Sequence, residues 1–599
     1  MPQYNAPLRD MQFVLHELLN VEQHYAKLPS FADTVSRELV DQYLETAASF
    51  CENELAPINA SGDAEGCHWN DGVVTTPKGF KEAYQKYIEL GFPSLSAPEE
   101  FGGQALPNSL GTVISEMVGT ANWSWGMYPG LSHGAVRTVE HHGSDEQKQT
   151  YLPKLVSGEW TGTMCLTESH AGSDLGIIRT KAEPQADGSY AITGEKIFIS
   201  AGEHDLAENI IHIVLARLPN APKGTKGISL FIVPKFLVNA DGSVGERNAV
   251  RCASIEHKMG IHGNATCVLN FDQAKGYLIG PENRGLNCMF TFMNTARIGT
   301  AVQGLAASEG SFQGALTYAR ERLAMRSLSG AKNPDKEADA IIVHPAVRQM
   351  LLTQKSFAEG GRALVYFLSQ YSDLVEHAET PEERQAADDM LSFLTPIAKA
   401  FLTETGYEAA NKGVQVFGGH GFITEHGMEQ IVRDTRIACL YEGTTEIQAL
   451  DLLARKVLQS QGALLKNFAG IVQHFCQSNQ HEQLKPLTNQ LLGLLKQWGD
   501  ITQAIGAKAQ QNPEEIGAAA VDYLYFSGYV TLAYFWAKMA HVALDKLAEG
   551  STETAFYQAK VTTAQFYFAK VLPRTASHAA IIATGSESLM ALSADDFVF

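Results

Sequence analysis

Along the first 155 residues apolar positions recur at three- and four-residue spacing, the period of an amphipathic helix. The pattern predicts a helix over 31–55, and a second opened by Thr76-Pro77 and running through Tyr87 to Leu90. Ser96-Ala97-Pro98-Glu99-Glu100-Phe101-Gly102-Gly103 reads as a loop, and helical spacing returns over 110–154. Near Trp160 the period changes. Short β-branched runs at 190–194, 197–200, 210–218, 228–237 and 267–271 are separated by turn pairs such as Asp187-Gly188 and Asp241-Gly242. Short runs with such separators predict a barrel or sandwich rather than βαβ units. After Gly285 the helical period resumes to about residue 460, as in Leu391, Leu394, Ile397 and Phe401. A polar stretch over 477–482 precedes a last helical block, in which Asn512-Pro513 is a helix start with Asn512 as N-cap.

The expected fold class is α+β and multidomain. It comprises an N-terminal α-helical domain (1–158), a central β-barrel (159–282), a C-terminal four-helix-bundle domain (283–460) and an additional C-terminal helical domain (461–599).

Composition narrows the function classes. With Lys+Arg 46 against Asp+Glu 66 the formal net charge is −20, a surface that repels phosphate backbones, so no nucleic-acid partner is expected. Eight cysteines occur without a CxxC pair, which argues against a zinc ribbon or dithiol centre, and no metal is expected. The N-terminus lacks a basic segment followed by an apolar one, so a cytoplasmic location is expected. The most apolar stretch, 523–537, is too short and too interrupted for a transmembrane segment and reads as a buried helix.

Gly130-Leu131-Ser132-His133-Gly134 has the spacing of a hydrolase nucleophile elbow, but no strand precedes it, and it is read as a loop of fortuitous spacing. Neither a dinucleotide-binding glycine motif nor a P-loop is present, and the histidines lack metal-site spacing.

Three segments carry candidate chemistry. Thr167-Glu168-Ser169-His170-Ala171-Gly172-Ser173-Asp174 concentrates small and hydroxyl residues that let backbone N–H groups approach an anion. Val416-Phe417-Gly418-Gly419-His420-Gly421 would break a packed helix and suits a place where backbone meets a ligand or another chain. Tyr441-Glu442-Gly443-Thr444-Thr445-Glu446-Ile447-Gln448 follows an apolar segment, and a carboxylate there is a candidate general base. On spacing alone the first is equally a turn-rich loop and the second a helix stop. The third is equally a solvated Glu442 beside a threonine cap.

Taken together, and with Gly194-Glu195-Lys196-Ile197-Phe198-Ile199-Ser200, these segments resemble the acyl-CoA dehydrogenase family over roughly residues 35 to 460. The resemblance implies an FAD-dependent enzyme that converts an acyl-CoA thioester to the trans-2-enoyl-CoA, with Glu442 removing the α-proton as the β-hydrogen leaves as hydride. It places Leu166, Thr167, Ser173, Phe198, Ser200, Thr444 and Glu446 at the flavin. Arg322, Gln415, Gly418 and Gly419 fall at the FAD of a neighbouring subunit. Ser173, Asn294 and Arg297 fall at the CoA moiety, and Tyr441 and Gly443 at the acyl group. Ala296 occupies the position where some members carry the base instead, which leaves Glu442 as the candidate.

Phe198 and Ser200 replace a tryptophan and a threonine common in the family, and Ser169-His170 replaces a Pro-Gly pair. The extra C-terminal block is similar to that of a long bacterial subgroup acting on medium and long acyl-CoAs or on 3-methylmercaptopropionyl-CoA. The expectation is a homodimer in fatty-acid β-oxidation, medium or long chains favoured, that passes electrons to electron-transfer flavoprotein. The alternatives are a 3-methylmercaptopropionyl-CoA dehydrogenase, an acyl-CoA oxidase and a non-catalytic acyl-CoA-binding protein.

Overall fold

The computed structural model describes residues 3–479 and 481–598. They form two compact units, one of residues 4–6 and 42–299, the other of 7–41 and 300–598 together with residue 3.

The first unit is built on a barrel. Strands Trp160–Cys165, Asn209–Ala216, Ser229–Pro234, Thr266–Ile279, Tyr190–Ser200 and Lys181–Pro184 lie side by side in that order, with Val250–Ile255 also paired to Thr266–Ile279. Strand 160–165 runs parallel to 209–216, and the other pairings are antiparallel. The sheet closes where Ala182 N–H donates to the Arg217 carbonyl at 2.8 Å and Arg217 N–H to the Thr180 carbonyl at 2.9 Å.

Strands 209–216 and 229–234 are buried on both faces, which is why they read as continuous apolar runs. Ile211, Ile213, Leu230 and Ile232 pack with Trp160 of the neighbouring strand and with Ala135, Leu152 and Phe292 of the helices outside. Val214, Ala216, Phe231 and Val233 turn inward to Ile192, Ile199, Leu269 and Phe271. Helices Asn108–Ala121, Trp123–His142 and Asp145–Ser157 supply the outer layer, the last opened by a Ser144/Gln147 capping box. The all-helical reading of the first 155 residues misses a hairpin, His68–Asn70 with Val73–Thr75, turned by Asp71-Gly72 with both residues at positive φ.

The second unit is helical. Its long members are the part of Gly285–Glu321 beyond residue 299, Pro345–His377, Pro381–Phe417, Lys485–Ala509 and Glu514–Ala548. Glycines set the close crossings. A Cβ on Gly304 would lie 2.2 Å from the Leu402 carbonyl oxygen, and one on Gly528 would lie 2.2 Å from the Phe401 ring. The apolar stretch 523–537 is buried within Glu514–Ala548, and Trp536 donates its indole N–H to the Ser356 carbonyl at 3.0 Å. The helix starts one residue later than expected, with Pro513 at the N-cap position and Glu514 first in the helix, and Asn512 precedes it and accepts from Glu514 N–H at 3.1 Å. Among the described residues no helix is long and apolar enough to cross a membrane.

A buried charge cluster ties the N-terminal segment and the C-terminal helices into this unit. Arg362 binds Asp10 and Glu309, the latter at 2.7 Å; Lys560 binds Asp10 and Glu359, the latter at 2.8 Å; Lys355 binds Glu359. Burial pushes the Lys355 ammonium down to about 7, whereas Lys560 and Arg362 overcome the burial of Asp10 and hold its carboxyl below the usual range. Removing one member strands its partners. Lys560→Met is therefore expected to cost about 3–5 kcal/mol in urea unfolding.

Inside the first unit His204 bonds Thr161 Oγ1 at 2.9 Å and His212 bonds Thr163 Oγ1 at 2.7 Å. Burial pushes both imidazoles from 6.5 down to about 3. Between those values the unfolded chain binds protons that the folded one does not, so stability falls as pH falls, by about 1.4 kcal/mol per pH unit for each imidazole. Urea unfolding from pH 7 to pH 4 checks this, and His212→Asn is expected to flatten the dependence.

Candidate functional site

On the barrel, the segment after strand 160–165 is held by a buried ion pair. Lys196 Nζ binds Glu168 Oε1 at 2.9 Å and the Leu166 carbonyl at 2.9 Å. Glu168 also accepts from the N–H groups of Arg179 and Thr180, at 2.6 and 3.0 Å, and from Thr180 Oγ1 at 2.6 Å. Burial alone would raise the Glu168 carboxyl, but Lys196 and these donors hold it below the ordinary range. The Thr167 carbonyl accepts from Ile197 N–H at 2.9 Å, so 166–168 lies against strand 190–200.

That strand carries a bulge. Lys196 pairs with Leu269 and Ile199 with Cys267, so Ile197 and Phe198 together oppose Val268. Phe198 takes φ of +58° and is 58% exposed. Left-handed backbone at an aromatic residue costs of order 1–3 kcal/mol and persists where the surroundings impose it, commonly at ligand sites. The bulge turns a large apolar ring outward beside Thr167 and the half-buried Ser200, a surface matched to a flat aromatic ring. Gly172 and Ser173 are exposed, and among the described residues no hydrogen bond engages their N–H groups, as an anion-binding turn requires. This donor set fits a flavin with a phosphate tail.

Asn294 and Arg297 lie three positions apart on Gly285–Glu321, hence on one face, Asn294 exposed and Arg297 half-buried. Ser132 lies within helix Trp123–His142 and not in a loop. Its hydroxyl is buried, donates to the Tyr128 carbonyl at 3.0 Å and accepts from Gly162 N–H at 3.1 Å, which removes it as a nucleophile.

In the helical unit Glu442 is half-buried in a loop between the turn Ile437–Cys439 and helix Thr445–Leu450. Thr444 caps that helix, its hydroxyl accepting from Ile447 N–H at 3.3 Å, and Glu446 is exposed in its first turn. Thr445 Oγ1 donates to Glu404 Oε1 at 2.7 Å. Gly443 has φ of +76°, and a Cβ there would lie 2.2 Å from the buried carboxamide of Gln448. The Tyr441 hydroxyl donates to Gln303, whose amide in turn donates to the Asp434 carbonyl at 3.1 Å.

Arg322, Gln415, Gly418 and Gly419 are all exposed. The structure brings their segments together through Tyr318, whose ring stacks on Phe417 with centroids 4.0 Å apart and whose hydroxyl bonds His420 Nδ1 at 3.0 Å. Nothing lies within 4 Å of a Cβ built on Gly418 or Gly419.

Sequence reasoning overlooked Glu168 and Lys196 as a pair, Gln303, and Lys399, whose buried ammonium contacts the Glu442 loop. The signal was clearest for Lys399, a lone cation in the apolar run Ile397 to Leu402, whereas Lys196 follows Glu195 and has apolar residues only after it.

Comparison with known proteins gives the family. The acyl-CoA dehydrogenase N-terminal, middle and C-terminal domains match residues 38–159, 163–274 and 283–458, and the acetyl-CoA dehydrogenase C-terminal-like domain matches 468–593. The chain is 42% identical over 596 residues to the 3-methylmercaptopropionyl-CoA dehydrogenase of Ruegeria pomeroyi, covering 98% of this chain and 99% of that one. It is 34% identical over 612 residues to the broad-specificity linear acyl-CoA dehydrogenase FadE5 of Mycobacterium tuberculosis, covering 99% of each. The fold matches that of the Bacillus anthracis acyl-CoA dehydrogenase complexed with FAD, at a TM-score of 0.74 and 21% identity over 94% of this chain and 89% of that one. The chain belongs to the acyl-CoA dehydrogenase family, FAD-dependent oxidoreductases.

Proposed function

We propose that this enzyme converts a linear acyl-CoA thioester to its trans-2-enoyl-CoA, with Glu442 as the base. The observation that carries the reading is the built loop around Glu442, which holds one carboxylate half-buried between the turn 437–439 and the capped helix 445–450. FAD, when bound, supplies the hydride acceptor for the β-hydrogen. Glu442 takes the α-proton onto its carboxylate, and its backbone N–H stabilises negative charge on the thioester oxygen.

Leu166, Thr167, Phe198 and Ser200 cover the flavin, with Thr444 and Glu446 as further contacts, and Ser173 serves the phosphates and the CoA end. Asn294 and Arg297 bind CoA, the guanidinium suiting its polar groups. Tyr441 and Gly443 bound the acyl group. Arg322, Gln415, Gly418 and Gly419 serve the FAD of a second copy, giving a homodimer. Support comes from Phe422, 82% exposed, and Ile423, also exposed, beside the glycines. All eight cysteines are free thiols, in keeping with a reducing cytoplasm.

For the substrate, similarity to the Ruegeria enzyme favours 3-methylmercaptopropionyl-CoA as a second reading. The two readings share one chemistry. A thioether sulfur replaces a methylene at similar volume, so that acyl group occupies the space of a five-carbon chain. We propose electron-transfer flavoprotein as the acceptor and β-oxidation of linear acyl groups as the setting, medium and long chains included.

The test is anaerobic titration of the flavin band with acyl-CoAs of four to sixteen carbons and with 3-methylmercaptopropionyl-CoA, followed by reoxidation with electron-transfer flavoprotein or oxygen. Bleaching by acyl-CoA and fast reoxidation by the flavoprotein are expected. A flavin that no acyl-CoA bleaches contradicts the reading, and fast reoxidation by oxygen makes the protein an oxidase. Glu442→Gln is expected to slow bleaching about 10²–10⁴-fold with flavin retained. Lys196→Met is expected to lower flavin content, read from absorbance per chain, because Glu168 loses its cation and segment 166–168 its anchor.

A further inference from the structure

Lys399 stands in helix Pro381–Phe417 among Ile397, Ala398, Ala400, Phe401 and Leu402, and is completely buried. An ammonium removed from water costs several kcal/mol unless oxygens surround it. Here its Nζ donates to the carbonyls of Ala438 at 2.7 Å and Gly443 at 2.6 Å, with the Tyr441 carbonyl at 3.4 Å. The carbonyls on both sides of Glu442 therefore converge on one cation. In a trans peptide the C=O and the following N–H point in opposite directions. Turning the Tyr441 carbonyl toward Lys399 thus turns the Glu442 N–H away from it. Five residues further along the same helix, Glu404 accepts from Thr445 Oγ1 at 2.7 Å and fixes the far end of the loop.

We propose that Lys399 is a positioning residue for α-proton abstraction: by binding the carbonyls before and after Glu442 it aims both that carboxylate and the Glu442 N–H. The proposal rests on the reading of Glu442 as the base. The proton passes from the substrate α-carbon to a Glu442 carboxylate oxygen, and Lys399 neither gives nor takes one.

The test uses the FAD-loaded full chain and a 3-thiaacyl-CoA. That analogue has sulfur at the β position, so it has no β-hydride to lose, and its α-carbanion over oxidised flavin gives a long-wavelength charge-transfer band that reports deprotonation alone. Lys399→Met is expected to keep flavin content and analogue affinity. Band formation and bleaching by butyryl-CoA should each slow about 100-fold, as for a misplaced reacting group, with KM little changed. Wild-type rates in this variant overturn the proposal. So does loss of flavin or of analogue binding in step with rate, since that describes a merely structural residue. If Lys399→Met does not fold, Thr445→Val decides: slower band formation with flavin retained supports the anchored loop, and an unchanged rate overturns it. Glu442→Gln runs alongside. If it deprotonates the analogue at the wild-type rate, the reading of Glu442 fails, whereas its loss beside a normal Lys399→Met refutes the role of Lys399 alone.

Discussion

A lysine ammonium taken out of water must be met by oxygen, and that constraint shapes this protein at three places. Lys196, Lys399 and Lys560 are all buried, and each collects oxygens from segments distant in sequence. Lys196 draws Leu166 and Glu168 onto the barrel wall. Lys399 draws 438, 441 and 443 onto the helix 381–417. Lys560 joins Asp10 of the N-terminal segment to Glu359 of the bundle. Apolar packing fills the rest of the core without direction. These cations choose which loop lies where, because any other arrangement would leave a charge in a low-dielectric interior without compensation.

The same logic separates rigid scaffold from exposed chemistry. Strands 209–216 and 229–234 are sealed on both faces, and the crossings at Gly304 and Gly528 bring backbone against its neighbours with no room for a side chain. Against that background Phe198, at positive φ and turned outward, is a local cost that the barrel sustains. A bulge is an economical way to produce it, since one extra residue re-aims a side chain without moving the strand. Gly443 does comparable work in the helical unit, where its left-handed turn brings the chain against Gln448 and leaves Glu442 at the bend.

Much of this was legible in the sequence. The change of period near Trp160 and the run of short β segments announced the barrel, and the buried 523–537 stretch lies where the pattern put it. Strands Trp160–Cys165 and Val250–Ile255 were harder. The first has Thr161 and Thr163 buried against His204 and His212, so polar side chains hide an interior strand. The second alternates over only six residues and carries the exposed Arg251. The Ser132 spacing was fortuitous, as read, but its segment is helix rather than loop, and the helix satisfies its hydroxyl locally. The bulge at Phe198 leaves no mark in the sequence, because it depends on the register between 190–200 and 266–279. Lysines such as Lys196 and Lys399 were visible, but their partners were not, since only folding brings the oxygens to them.

The proposed reaction breaks the α C–H bond at Glu442 as the β-hydrogen leaves as hydride. The most direct measurement is stopped-flow flavin bleaching with butyryl-CoA deuterated at C2, at C3 or at both. The account predicts primary isotope effects from each position. Bleaching insensitive to deuterium at C2 would contradict it, because no base would then be acting on the α-carbon in the step that reduces the flavin.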